Sequence, residues 1–150
     1  MTGATSSLFE VLIVDDEPGD VSLTKMALRE GRFLCNIAVA VNGEEAMEIL
    51  RKQPPYADAP TPDLILLDLN MPQKNGKEVL KEMRADPDLV VIPVVVLTTS
   101  DVERDVVAAY ELGASGYVTK PVEVDALFQI IRGIEQYWFS IVRLPTLKKH

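Results

Sequence analysis

The chain has 150 residues, 47% hydrophobic and 25% charged, which suits one globular domain and excludes a disordered polymer. Its formal net charge of −8 argues against a nucleic-acid-binding surface, which needs clustered lysine and arginine to neutralise phosphates. One cysteine, Cys35, permits no internal disulfide, and neither a signal peptide nor an apolar run of the ~18 residues that span a membrane is evident, so we expect a soluble, cytoplasmic protein.

Five short apolar runs predict strands along the chain. In order they are VLIV (11–14), NIAVAV (36–41), LILL (64–67), VVIPVVVL (90–97) and GYVT (116–119). The first, third and fourth runs are unbroken rather than alternating, which is typical of strands that are covered on both faces.

Helical patterns follow each of these runs. Leu23, Met26 and Ala27, for example, have the i, i+3, i+4 spacing of a helix face, and we expect the last helix to run from about Val122 to Ile141. Strand and helix alternate five times, which predicts a single α/β domain with a parallel five-stranded sheet and helices on both faces.

Polar side chains follow four of the predicted strands at their carboxyl ends. They are Asp15 and Asp16 after the first strand, Asp68 after the third, Thr98 after the fourth and Lys120 after the fifth. Because the carboxyl ends of parallel strands meet at one edge of the sheet, we expect these side chains to share a cleft.

The chemistry of this set favours a functional site. Three carboxylates in one cleft repel each other, and a divalent cation such as Mg²⁺, which prefers oxygen ligands, relieves that repulsion. A carboxylate can also act as a nucleophile toward phosphorus, while a metal ion, a hydroxyl and an ammonium neutralise the phosphoryl oxygens. Each residue alone has an ordinary explanation, as a helix cap, a strand threonine or a solvated lysine, and only their joint occurrence favours the site.

The stretches VLIVDDEPGD, LILLDLNMPQKNG, VVVLTTS and GYVTKP resemble the bacterial response-regulator receiver domain. The resemblance covers nearly the whole chain and implies a doubly wound, flavodoxin-like (βα)5 fold with strand order 2-1-3-4-5. It implies a protein of a two-component phosphorelay in which Asp68 accepts a phosphoryl group from the phosphohistidine of a sensor histidine kinase. Such a protein is a phosphoacceptor switch rather than an enzyme, although it promotes its own phosphotransfer and dephosphorylation.

The resemblance also implies the metal ligands. Asp16 and Asp68 would ligate Mg²⁺ directly, Asp15 would act through water, and the backbone carbonyl of Asn70 would complete the protein ligands.

The same resemblance assigns the residues around the phosphoryl group. Thr98 and Lys120 would hold its oxygens, and Tyr117 matches a switch aromatic that turns inward as the threonine hydroxyl moves toward the phosphate. The bond between Lys120 and Pro121 matches one that is cis in the family.

Two other classes share this architecture. A phosphatase of the haloacid-dehalogenase type needs a second aspartate two residues after its nucleophile, but the stretch here is Asp68-Leu69-Asn70. A flavodoxin-like cofactor binder needs a phosphate-cradling loop after the first strand, where this chain has repelling acids. A receiver that only drains phosphate from a kinase remains an alternative to an output switch.

A narrower resemblance concerns the partner. The proline-containing loop at 52–63 and the ending EQYWFSIVRLP are similar to single-domain response regulators that are paired with bacterial phytochrome histidine kinases. This implies a bacteriophytochrome as the kinase and a red/far-red light signal.

The ends of the chain complete the expected organisation: a flexible N-terminus at 1–8, the receiver domain at 9–140 and a C-terminal extension at 141–150. The apolar residues of the last helix cover an arc of roughly 200°, whereas packing on a sheet needs little more than about 100°. We therefore expect a homodimer through the fourth and fifth helices and the strand between them, with Tyr137, Trp138 and Phe139 as anchors and the extension as a candidate part of the interface. The alternative is that the tail VRLPTLKKH covers this face.

With little chain left for an effector domain, we expect output through protein contacts, without DNA or membrane binding.

Overall fold

A computed structural model describes residues 8–141 of the chain, with side chains up to residue 139. Most of the predicted N-terminal segment 1–8 and C-terminal extension 141–150 therefore lie outside the described residues. The elements are β1 (Phe9–Val14), α1 (Pro18–Arg29), β2 (Cys35–Ala40), α2 (Gly43–Leu50), β3 (Leu64–Leu67), α3 (Gly76–Arg84), β4 (Val94–Thr98), α4 (Glu103–Glu111), β5 (Gly116–Thr119) and α5 (Val124–Glu135), followed by a π-helical segment (Gln136–Ile141).

The strands form one parallel sheet in the order β2-β1-β3-β4-β5, which confirms the predicted doubly wound fold. β1 and β3 lie at the interior of the sheet, and Val11 to Val14 and Leu64 to Leu67 are all buried. This explains why their sequences are unbroken apolar runs, since each strand is covered on both faces.

Each face of the sheet has its own core. Leu12 and Ile65 face a cluster that is completed by α2, α3 and α4, whereas Val11 and Leu64 face a cluster that is completed by α1 and α5. Successive side chains of a strand point to opposite faces, so both cores draw on the same strands. Among the described residues, no helix is long and apolar enough to cross a membrane.

Two element boundaries differ from the predictions by more than two residues. The fourth strand starts at Val94 rather than at residue 90, because Pro93 interrupts the run and the residues before it form a turn that buries Ile92. The last α-helix starts at Val124 and ends at Glu135, and the chain continues in the wider π-helical segment instead of one α-helix to Ile141. Phe139, in that segment, stacks on Phe9 with ring centroids 4.1 Å apart.

Candidate functional site

Three carboxylates meet at the carboxyl edge of the sheet. Asp15 and Asp16 follow β1 and Asp68 follows β3, and one oxygen of each lies within 4.8 Å of the others. Asp15 and Asp68 are buried, while Asp16 is exposed. This all-oxygen donor set fits a hard divalent cation that retains several waters.

The sheet holds the backbone of the site residues. The amide of Asp68 donates to the carbonyl of Val14 at 2.9 Å, and the amide of Asp15 donates to the carbonyl of Ala40 at 3.0 Å. The amide of Lys120 likewise donates to the carbonyl of Thr98 at 2.6 Å. The interstrand hydrogen bonds therefore continue to the residues that carry the polar side chains.

The ammonium of Lys120 lies among the acids. Its Nζ is 2.7 Å from Asp15 Oδ2, 3.0 Å from Asp20 Oδ2 and 3.5 Å from Asp68 Oδ2. Burial acts to lower the pKa of Lys120, but the hydrogen bonds to Asp15 and Asp20 and the charge of Asp68 outweigh it and raise that pKa overall. The ammonium is therefore a fixed positive charge beside Asp68.

Burial also acts on Asp15, whose pKa it raises, although the hydrogen bond from Lys120 opposes this effect. Both oxygens of this carboxylate already accept hydrogen bonds, Oδ1 from the Glu17 amide at 3.0 Å and Oδ2 from Lys120.

The prediction of a cis peptide bond between Lys120 and Pro121 is wrong. Among residues 8–141 the cis peptide bond joins Pro54 and Pro55, and the bond before Pro121 is trans. The ammonium of Lys120 reaches the acids from a trans bond, since the loop after β5 already directs this side chain into the cleft.

The carboxylate of Asp68 receives hydrogen bonds from two further groups. Thr98 is fully buried, and its hydroxyl donates to Asp68 Oδ1 at 2.7 Å. The backbone amide of Asn70 donates to the same oxygen at 3.3 Å. The two neighbouring carboxylates, the Thr98 hydroxyl and the Lys120 ammonium thus all lie around Asp68.

Tyr117 connects this edge of the sheet to the loop between β4 and α4. Its hydroxyl donates to the carbonyl of Ser100 at 2.8 Å, and its half-buried ring packs against the core cluster of α2, α3 and α4. The role of Tyr117 as a switch aromatic stays a prediction.

Sequence reasoning missed one neighbour of the site. Asp20, in the first turn of α1, contacts Lys120, and its signal was present because it closes the acidic stretch that follows β1. It also missed the contacts of Ser100 and Asp105 in the β4–α4 region, for which the sequence offered no pattern.

The three expected dimer anchors differ in their surroundings. Tyr137 is half exposed at 51%, whereas Trp138 and Phe139 pack partly buried against the chain's own α1–α5 core. Phe139 also contacts Phe33 edge-on at 5.6 Å. Two of the expected anchors, Trp138 and Phe139, therefore make much of their contact within the chain itself.

Comparisons with known proteins agree on the class of this chain. A family model for the response regulator receiver domain matches residues 11–132. The response regulator Rcp1 of Synechocystis is 44% identical over 91% of this chain and 92% of its own length.

Two solved structures are similar over most of the chain. The phosphorylated cyanobacterial phytochrome response regulator RcpA has a TM-score of 0.88 and 44% identity, over 91% of this chain and 98% of its own. The Mn²⁺-bound form of Rcp1 has a TM-score of 0.86 and 43% identity, over 91% of this chain and 99% of its own.

Proposed function

Because this chain belongs to the response regulator receiver family, we propose that Asp68 is the residue that takes up its phosphoryl group and that a phytochrome-type histidine kinase supplies it. The observation that carries the proposal is the convergence on one carboxylate of two neighbouring acids, a buried hydroxyl and a buried ammonium. The pairing with a phytochrome is supported by the similarity to RcpA and Rcp1 over nine tenths of the chain.

In the proposed reaction an oxygen of Asp68 forms a bond to the phosphorus of a phosphohistidine while the bond from phosphorus to the imidazole nitrogen breaks. The imidazole leaves with the electron pair of that bond and is then protonated. Such a transfer needs mainly positioning and neutralisation of charge on the phosphoryl oxygens. The Thr98 hydroxyl and the Lys120 ammonium, both already directed at Asp68, supply a donor and a positive charge for those oxygens.

A bound divalent cation would supply the remaining positive charge, and we propose Mg²⁺ for this role. Asp16 and Asp68 would hold it directly and the backbone carbonyl of Asn70 would complete the protein ligands. Asp15 would act through water, which its existing bonds to the Glu17 amide and Lys120 favour. A Mn²⁺-bound form of Rcp1 has been solved, which supports the binding of a divalent metal by this chain as well.

The signal would leave the site through Thr98 and Tyr117. A phosphoryl group on Asp68 would strengthen the preference of the Thr98 hydroxyl for its present position and so favour the inward position of Tyr117. We propose that the protein acts in the cytoplasm as a switch without turnover of a small substrate, and that its output is a change in protein contacts, including a homodimer.

The test is labelling of the protein with a phosphodonor in the presence and absence of Mg²⁺. We expect Mg²⁺-dependent uptake of about one phosphoryl group per chain by the wild type and by the control Asp58→Asn, which changes an exposed loop acid. We expect none by Asp68→Asn, because an amide is a poor nucleophile at neutral pH.

Stable labelling of Asp68→Asn would remove Asp68 from its assigned role. The kinase is tested separately, by comparing transfer from a phosphorylated bacteriophytochrome with transfer from an unrelated sensor kinase. Equal rates from both would contradict the phytochrome pairing and leave the role of Asp68 intact.

A further inference from the structure

The carboxylate of Asp105 bridges two separate parts of the molecule. Asp105 lies in the first turn of α4, and its Oδ1 is 2.6 Å from Nζ of Lys77 in the first turn of α3. Its Oδ2 accepts a hydrogen bond at 2.5 Å from the hydroxyl of Ser100, in the loop between β4 and α4. The hydrogen bonds from Lys77 and Ser100 lower the pKa of Asp105, so the carboxylate is ionised at neutral pH.

Ser100 is held from its other side as well. Its carbonyl accepts the hydroxyl of Tyr117 at 2.8 Å, and it lies two residues after Thr98. The four residues Lys77, Asp105, Ser100 and Tyr117 thus form a continuous chain of polar contacts, which we name the bridging chain. It joins α3, α4, the β4–α4 loop and β5.

The α3 end of the bridging chain is fixed against the site itself. Gly76, next to Lys77, donates its amide to the carbonyl of Leu69 at 3.0 Å. A Cβ at Gly76 would collide with the backbone carbonyl of Asp68, so the start of α3 rests directly on the backbone of Asp68. The bridging chain therefore begins one residue from a contact with Asp68 and passes within two residues of Thr98.

The start of α4 has little else to hold it in the described part of the chain. Its N-cap residue, Val102, makes no side-chain capping hydrogen bond and is 46% exposed. Glu103, the first residue of α4, is exposed too. The side-chain contacts that tie the loop after Thr98 to its neighbours are therefore those of Asp105 with Ser100 and Lys77, together with the Tyr117 hydroxyl at Ser100.

We propose that Asp105 is a positioning residue for phosphoryl transfer: by tying Ser100 to α3, it keeps the Thr98 hydroxyl at Asp68 and Tyr117 in its inward position. This inference rests on the proposed function of Asp68. In the proposed function the phosphoryl group favours Thr98 in that position, so a contact that favours the position also favours phosphorylation, and the coupling is reciprocal.

An ordinary surface ion pair would have a different effect. The side chain of Lys77 is 39% exposed, and exposed pairs contribute little to stability. A merely structural role would thus appear, if at all, as a small change in the free energy of unfolding. The positioning role predicts a change in the rate of phosphorylation and in the affinity for a phosphoryl mimic.

The experiment compares Asp105→Asn with the wild type and with the control Glu103→Gln, which neutralises an exposed acid two residues earlier in the same helix. We measure the rate of Mg²⁺-dependent phosphorylation by acetyl phosphate and the affinity for trifluoroberyllate, a stable mimic of the phosphoryl group. For Asp105→Asn we expect both to fall about fivefold, a typical coupling between sites, and for the control neither to change.

Two further variants test whether the losses arise from the bridging chain and not from a local effect of the Asp105 substitution. Lys77→Met removes the α3 end of the bridging chain, and we expect a loss of the same order in rate and affinity. Ser100→Ala combined with Asp105→Asn should cost no more than the larger single loss, since both variants break one chain of contacts.

The outcomes separate the two proposals. If the wild type is labelled at Asp68 and the Asp105 and Lys77 variants are labelled at its rate and bind the mimic equally well, the positioning role is wrong and the proposed function stands. If the wild type takes up no phosphoryl group at all, the proposed function fails, and the positioning role fails with it.

Discussion

Glu135 is a buried acid on the side of the sheet where α1 meets α5. It is 1% exposed, and its Oε1 accepts a hydrogen bond from Arg132 at 2.6 Å, while its Oε2 has no hydrogen-bond partner among the described residues. An added Cβ at Gly31, in the turn after α1, would collide with this carboxylate, so a larger residue there would have to displace it. Burial raises the pKa of Glu135 above 4.5, and the hydrogen bond and charge of Arg132 oppose this only in part.

We expect Glu135→Gln to stabilise the protein at neutral pH by about 1 kcal/mol, because the variant removes a buried charge with an unpaired oxygen. An acid whose pKa is higher in the folded chain binds more protons when folded, so the wild type loses stability as pH rises through 4.5 toward the folded-state pKa. The advantage of the variant should therefore be present at pH 7 and shrink as the pH falls toward 4.5.

Urea unfolding at several pH values measures this difference, with Glu30→Gln as the control because Glu30 is exposed at the end of α1. A stability difference that is the same at all pH values would show that the carboxylate of Glu135 does not titrate as its burial implies.

At the residue scale, the sequence predicts the positions that follow directly from strand ends. Asp15, Asp68 and Thr98 each end or follow a strand, and parallel strands bring such residues to one edge of the sheet independently of the loop conformations. Ser100 and Asp105 depend instead on the conformation of a loop and the orientation of α4, which no local pattern specifies. For the same reason the sequence pointed to Asp68 but not to the bridging chain.

At the scale of single elements, the start of α3 is one of the helix ends that are tied to the site. The side chain of Asn75 accepts the Glu78 amide at 3.1 Å, and the side chain of Glu78 accepts the Asn75 amide at 2.9 Å. This reciprocal capping satisfies two amides that have no partner within the helix. It also fixes the turn in which Gly76 contacts the backbone of Asp68.

We expect Asn75→Ala to lower the free energy of unfolding by about 1 kcal/mol, because it removes the acceptor for the Glu78 amide. Asn75→Ser keeps a capping oxygen and should cost clearly less. Chemical denaturation followed by circular dichroism measures both. Equal losses for the two variants would mean that the cap is not what stabilises this end of α3.

Element interiors were easier to predict than element ends. Both the turn before Pro93 and the strand after it are apolar in sequence, and both contain buried residues, such as Ile92 and Val94. Composition cannot separate a buried turn from a strand, so only the proline marks the boundary. At the end of α5, the ring contacts of Phe139 with Phe9 and Phe33 are long-range in sequence and could not be read from the local pattern.

At the scale of the whole molecule, exposed apolar side chains remain on α4 and around the start of α5. They are Val102, Val107, Tyr110, Val122 and Val124, each at least 45% exposed. An apolar surface of this kind favours association with a partner. It lies on the helices through which the sequence predicts a homodimer, and that dimer stays a prediction.

The structure divides the expected anchors of the dimer into two kinds. We expect Tyr137→Ala, which truncates an exposed side chain, to weaken self-association at micromolar concentration without changing the free energy of unfolding. We expect Phe139→Ala to lower the free energy of unfolding by roughly 2 kcal/mol instead, because its ring packs within the chain.

Sedimentation velocity measures the association, and urea unfolding measures the stability. A wild type that sediments as a monomer over the whole micromolar range, with and without phosphorylation, would contradict the homodimer.

The backbone amides of Asp15, Asp68 and Lys120 donate to neighbouring strands of the sheet, and this has a consequence for motion. An amide in such a bond exchanges its proton for solvent deuterium only when the strands separate, and central strands separate at a free-energy cost close to that of global unfolding. The bond of the Asp68 amide joins the central strands β1 and β3, whereas the bonds of Asp15 and Lys120 involve the edge strands β2 and β5, so the backbone at Asp68 should open only together with the fold. Slow movements of the loops around the cleft would thus change the surface that a docking partner meets while the backbone of Asp68 stays in place.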